Sequence, residues 1–433
     1  MQHKLIIAIF ISLFSFTFTA NGQKLVNSPY SRFNIGTLEP AGSFRSLGMG
    51  GIGTSLRDNS SIFFSNPASY SSLDTNSFVF DFGLDYSKNI LSDGASSFSS
   101  DDINFDHLLI GFPLAKGWGV AAGIVPLSNG YYQISDSVLN NDPEYDPNVG
   151  EYSSYHTGNG GFTNFFIGTG VRINKNFSAG VNMTLLFGQV NRLYQVRFVD
   201  YTVFRNNSTE KLQLGGINFD YGMHYTASLK NDYFLNAGVS LSSGKYYKSK
   251  YEHIFSRYLG DDIPSNGTRD TISYVSDEST AAFIPGTLSL GISFGKENKF
   301  ITGIDFVSTK WSNSKIPGAS EESYVADTRS LLFGAEYIPD KFSNYSFLKR
   351  LEYRIGGHIE DNYVIINGEQ VKEYGASIGI GLPMRRTFSK TNLFFDFTRK
   401  TGSTVNNLHT ENYYTMGISL NLYDFWFVKR KYD

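Results

Sequence analysis

Apolar and polar side chains alternate along most of this chain, with a period of two. From Ile217 to Leu229, the residues Ile217, Phe219, Tyr221, Met223, Tyr225, Ala227 and Leu229 take turns with Asn218, Asp220, Gly222, His224, Thr226 and Ser228. Successive side chains of a pleated strand point to opposite faces, so the segment predicts a strand with one greasy and one polar face. Phe78, Phe80, Phe82, Leu84 and Tyr86 repeat the pattern against Ser77, Val79, Asp81, Gly83 and Asp85, and Tyr233 to Leu241 gives a third example.

A large soluble β-sandwich alternates in the same way, and connection lengths separate the two architectures. Tight turns fall at Lys116-Gly117, Asn174 to Asn176, Lys230 to Asp232 and Lys296 to Asn298, with short ones at Pro339 to Phe347 and Arg385 to Lys390. Between them lie longer polar segments at Lys88 to Asp102, Ser128 to Asn159, Asp200 to Ser208, Gly244 to Thr280, Ser312 to Asp327, Asp361 to Glu369 and Gly402 to Thr410. Strict alternation of short and long connections predicts an all-β fold, a transmembrane antiparallel β-barrel of about 14 strands with both termini on the periplasmic side. The expected strand centres are Phe82, Leu108, Ala122, Ile167, Thr184, Tyr221, Ala237, Leu290, Ile304, Phe333, Ile355, Ile378, Phe395 and Ile418.

The first residues set the compartment. Lys4 precedes an apolar run from Leu5 to Phe18, and Ala20-Asn21-Gly22 places small residues before Gln23, so residues 1–22 read as a signal peptide. The run is too short to cross hydrocarbon as a helix. Residues 23–76 lack alternation and are rich in Gly and Ser. If ordered they must be enclosed by something, and a barrel of this size has a lumen wide enough to need a plug. The organisation expected is therefore a signal peptide (1–22), an N-terminal hatch inside the lumen (23–76), the barrel (77–427) and a basic periplasmic tail (428–433), with the chain in the outer membrane of a Gram-negative envelope.

Composition agrees. Aromatic residues make up 16% of the 433 residues while charged residues are only 18%, below the ~25% of ordinary soluble domains. The absence of cysteine excludes a lipoprotein, a disulfide framework and a thiolate metal site. A net charge of −3 gives no basic field for nucleic acid. The histidines show no pair at metal-ligand spacing, and no nucleophile with a base beside it is visible. Hence neither an enzyme, nor a metal site, nor a cofactor is expected. The polar residues Asp81, Asp85, Asp220, His224, Glu336, Glu352, Arg354, Glu373 and Asp396 should face inward. Arg354, His224 and Asp220 are the ligand-binding candidates, Arg354 because its guanidinium offers paired donors to a carboxylate. Pairing of Arg354 with Glu352 is the alternative.

The stretch Asn66-Pro67-Ala68, preceded by Arg57-Asp58 and the Gly-rich run Gly48 to Gly53, resembles the FadL family of outer-membrane transport barrels, where a hatch with such a motif precedes fourteen strands. Pro285, Gly291, Asp305 to Ser312 and Arg354-Ile355-Gly356 are similar to later strands of that family. The resemblance implies Asn66, Pro67 and Ala68 as the hatch motif, supported by Arg45, Arg57 and Asp58. It also implies passive, hatch-gated passage of hydrophobic small molecules, long-chain fatty acid-like or aromatic, beside outer-membrane lipid. Ser28 to Phe33 and Asn421 to Phe427 look like barrels of the Bacteroidota, PorV among their relatives. That branch implies the other reading, a non-transporting barrel subunit of an envelope protein complex serving type IX secretion or outer-membrane protein assembly.

Overall fold

The computed structural model describes residues 28–92, 96–200, 202–259, 270–277, 281–318, 325–366, 368–384, 387–401 and 410–425. The predicted signal peptide and basic tail lie outside the described residues.

Fourteen antiparallel strands close into a barrel. In chain order they are β1 (Ser77–Ser92), β2 (Ser97–Ala115), β3 (Trp118–Asn129), β4 (Tyr152–Arg172), β5 (Phe177–Phe198), β6 (Arg205–Ser228) and β7 (Tyr233–Ser242). They continue as β8 (Thr287–Lys296), β9 (Phe300–Thr309), β10 (Thr328–Tyr337), β11 (Glu352–Ile366), β12 (Glu369–Pro383), β13 (Lys390–Thr401) and β14 (Thr410–Phe425). Each expected strand centre falls inside one of them. The ring closes where β14 pairs with β1 along its whole length, from Thr410 opposite Ser92 to Phe425 opposite Ser77. Closure leaves the ring without a terminal edge strand, as a strand wall in hydrocarbon requires, because no water is there to satisfy an exposed backbone.

The period of two sets the two faces. On β6, Ile217, Phe219, Tyr221 and Met223 are exposed, whereas Asn218 and His224 are buried. The same strand shows where the polar-inside expectation is too simple. Leu212 and Leu214 share the inward phase and are buried, packed with Tyr30, Ile35, Leu186 and Tyr363 in an apolar cluster at the long-loop end. Further down, inward Val79 and Leu109 pack against Ile62, Tyr70 and Leu73. Inward positions are apolar where apolar residues of the N-terminal segment pack against them.

Much of what reads as long polar loop is strand. β1 runs to Ser92, β2 begins at Ser97, Tyr132–Val138 folds back on β4, and Lys245–Tyr258 pairs with both the far half of β6 and Asp270–Asp277. These extensions mix polar residues into both phases, and their buried apolar residues, such as Tyr247, Leu212 and Leu214, answer to the cluster at the long-loop end.

Candidate functional site

Residues 28–76 run through the lumen and are fastened to the wall by side chains from many strands. Asn66 is the densest anchor. Its side-chain oxygen accepts from the Ala68 amide (3.1 Å), capping the short 3-10 helix Pro67–Ser72. Its side-chain amide donates to the carbonyls of Thr54 (2.8 Å), Met223 (3.2 Å) and Val239 (3.3 Å). This depends on Gly222 of β6: a Cβ there would stand 2.1 Å from Asn66 Oδ1. Pro67 and Ala68 are buried behind it, and Tyr70 donates to Asn182 of β5 (3.1 Å).

A buried ionic network fixes the other side. Arg45 meets Glu336 of β10 through Nη2 (2.8 Å) and Nε (3.1 Å) and Asp58 through Nη1 (2.7 Å). Glu336 also accepts from Arg354 Nε (2.7 Å), whose remaining donors go to Glu352 and, at 2.9 Å, to Asn392. Lys390 completes the chain on Glu352 (3.1 Å). Burial acts to lower the Arg45 pKa, but the Asp58 and Glu336 charges outweigh it and hold the guanidinium well above its ordinary value. Burial pushes the Asp58 carboxyl up, and Arg45 more than reverses this, leaving it far below the carboxylate range. Arg57 donates to Thr226 (3.0 Å) and Ser71 (3.1 Å).

Between the apolar cluster at the long-loop end and the packed base lies a cavity of about 520 Å³. Leu47, Phe64, Leu127, Val307, Leu332 and Phe394 line it together with carboxylates of Glu39, Asp85, Asp220, Glu373 and Asp396. Lys400, bonded to Glu373 at 3.2 Å, is a counter-charge in the lining. The wall beside it is incomplete. The ladder between β2 and β3 stops at Leu108 opposite Ile124, while β2 continues upward against β1 and β3 continues against β4. A second cavity of about 380 Å³ occupies this gap, bounded by Glu39, Pro40, Phe64, Phe105, Asp106 and Val125, and it shares Glu39, Phe64, Asp85 and Asp106 with the first. The freed edge of β3 takes the short strand Thr37–Leu38, Thr37 opposite Asn129 and Leu38 opposite Ser128, and the Glu39 amide donates to Leu127 O (3.0 Å). The Glu39 side chain reaches lumen solvent yet stands within the barrel's low-dielectric interior. Desolvation raises its carboxyl to about 7, with Lys400 opposing and Asp106 adding to the shift.

Of the three ligand-binding candidates, only Asp220 lines the cavity, where it accepts from Thr184 (2.6 Å). Arg354 pairs with Glu352 and Glu336, and His224 is spent on Thr54 O (2.7 Å). Both are buried beneath the N-terminal segment rather than lining the cavity, so for Arg354 the geometry is that of the alternative, pairing with Glu352. Asn66, Pro67 and Ala68, and likewise Arg45, Arg57 and Asp58, lie at the boundary between the N-terminal segment and the wall. Sequence reasoning missed Glu39, and it missed Asp305, which accepts the amides of Gly53 and Thr54 at 2.7 Å each. An acid on the polar phase of β9 was the available signal for Asp305; Glu39 gave none.

A closed fourteen-strand antiparallel wall with exposed apolar side chains on its outer phase defines a β-barrel of the outer-membrane kind. Within that class the chain belongs to the BamG family, whose model matches residues 1–433. No match is found among curated proteins. Among solved structures, the fold is similar to the CymD monoaromatic hydrocarbon channel, at 13% identity over 90% of this chain and 99% of that one, TM-score 0.57. A Pseudomonas aeruginosa FadL homologue gives the same identity, coverage and TM-score. The Ralstonia pickettii toluene transporter TbuX matches at 12% identity over 90% and 98%, TM-score 0.53. At these identities the likeness is one of fold.

Proposed function

We propose that this barrel passes hydrophobic small molecules by diffusion, with residues 28–76 as the hatch and the gap between β2 and β3 as the lateral exit into the membrane. The single observation that carries this reading is the interrupted β2–β3 ladder, joined to a part-apolar cavity by shared lining residues. The channels named above as hydrocarbon and toluene transporters support it as a precedent for the fold. Orientation follows strand parity, with short turns and both termini in the periplasm.

The lining narrows the solute. Lys400 is the cation of the described lining and is already bonded to Glu373, so the cavity offers a fatty-acid carboxylate no free counter-charge and uncharged aromatic compounds fit better.

A second reading, a non-transporting subunit of an envelope complex for secretion or barrel assembly, is favoured by the Arg45–Asp58–Glu336–Arg354 network, which fastens the segment more firmly than a mobile hatch requires. It is in keeping with membership of the BamG family and with the PorV-like resemblance. A deletion strain separates the two. Transport predicts slowed uptake of an uncharged aromatic with normal outer-membrane protein levels; normal uptake with failed secretion or assembly rejects transport in favour of the subunit.

A further inference from the structure

The turn between β10 and β11 is unlike the other connections at the short-turn end, which are only a few residues long. It is built rather than loose. The Asp340 amide donates to Lys349 O (2.7 Å), Ser343 N to Asp340 O (3.2 Å), and Ile338 N to Lys299 O (2.8 Å); a short helix, Phe347–Arg350, completes it. On this fixed frame four large apolar side chains face outward: Phe342 is 70% exposed, Leu348 66%, Tyr345 fully, and Phe347 about half. Ordered protein surfaces rarely hold such a patch uncovered.

Two relationships say what covers it. The hydroxyl of Tyr353, on the lipid-facing phase of β11, donates to Leu348 O (3.0 Å), so the helix lies over the outer side of the wall and not under the lumen. Tyr337 and Tyr353 stand opposite one another across the β10–β11 ladder, and with Trp118 and Phe425 they are exposed aromatics at the strand ends, where outer-membrane barrels carry an interfacial girdle. The charge beside the patch is basic. Lys349 and Arg350 sit on the helix, Arg350 over the Phe347 ring (5.4 Å), and Lys299 lies over Tyr337 (5.4 Å).

We propose that residues 339–351 form a membrane-surface anchor that lays Phe347 and Leu348 into the adjacent leaflet and sets Lys349 and Arg350 against the phosphates of anionic phospholipids. Apolar side chains beside basic ones on an interfacial helix are the combination that binds such a surface. Because the chain has no cysteine, a spin label on Leu348→Cys in the otherwise intact full chain reports this site alone. The expected result in bilayers containing anionic phospholipid is greater accessibility to lipid-dissolved oxygen than to a water-soluble nickel chelate. In bilayers of zwitterionic lipid only, or in the K349E/R350E background, the preference falls severalfold. Equal immersion with both lipids overturns the proposal, as does a label that stays in water in every bilayer. A label protected only on addition of soluble periplasmic protein overturns it in favour of a protein partner. Heat-modifiable migration on gels checks that each variant has folded.

Discussion

Arg45 and Glu336 are 291 positions apart and meet in a paired, buried ion contact at 2.8 and 3.1 Å. The pair ties the helix Phe44–Leu47 directly to β10, and Glu336 is at the same time the acceptor that fixes Arg354. Breaking a buried pair by removing one partner typically costs about 3–5 kcal/mol, because the survivor is left charged and unpaired. Arg45→Ala is therefore expected to lower the temperature at which the folded barrel converts to the unfolded band on a gel. Equal stability of wild type and R45A would contradict the network's role.

Asn66→Ala removes a helix cap, worth about 0.5–2 kcal/mol, together with three donor contacts to Thr54, Met223 and Val239. Hydrogen exchange should speed up at Ala68 and Ser69 while the wall amides stay protected. Uniform exchange across the chain would show that the motif does not act locally.

Gly356 of β11 carries a steric requirement of the same kind. A Cβ there would stand 2.1 Å from the Gly50 amide nitrogen, which donates to Ser377 (2.9 Å). Gly356→Val should displace Met49 and Gly50 from the wall without opening the β10–β11 ladder, seen as a new protease cut between residues 44 and 53.

Fourteen strand centres were legible because lipid on one side and a filled lumen on the other impose opposite demands on alternate residues. The turn at Asn66-Pro67 was legible because that dipeptide has few conformational choices. The far ends of β1 and β2, read as the polar segment Lys88 to Asp102, were not, since a strand end that is polar on both faces loses the alternation. Nor was the apolar inner face at Leu109, Leu212 and Leu214, because it answers to Tyr30, Ile35 and Ile62, residues far away in sequence. For Arg354 the sequence left open a ligand carboxylate or pairing with Glu352, and the structure gives its donors to Glu336, Glu352 and Asn392. Which acid an inward arginine finds depends on the segment packed over it, and one strand cannot reveal that.

Glu39 makes the gap sensitive to pH. Its carboxyl is raised to about 7 from an ordinary 4.5, so the folded state holds this proton more tightly than the unfolded chain. The resulting stabilisation is fully present below about pH 4.5, is lost as pH rises towards 7, and is absent above. Glu39→Gln should flatten that part of the stability profile. Thermal midpoints of the two proteins between pH 4.5 and 8 give the comparison, and parallel curves would contradict the assignment.

The central claim is that solute leaves sideways between β2 and β3. Ala41 is exposed and borders both cavities, so Ala41→Trp sets an indole in the opening without touching the wall ladder or the Arg45 network. Entry of an uncharged aromatic compound into liposomes carrying the purified barrel measures the route directly. The account predicts flux through the wild-type protein that falls at least tenfold in A41W. Flux absent from the wild type, or unchanged by the indole, would contradict it.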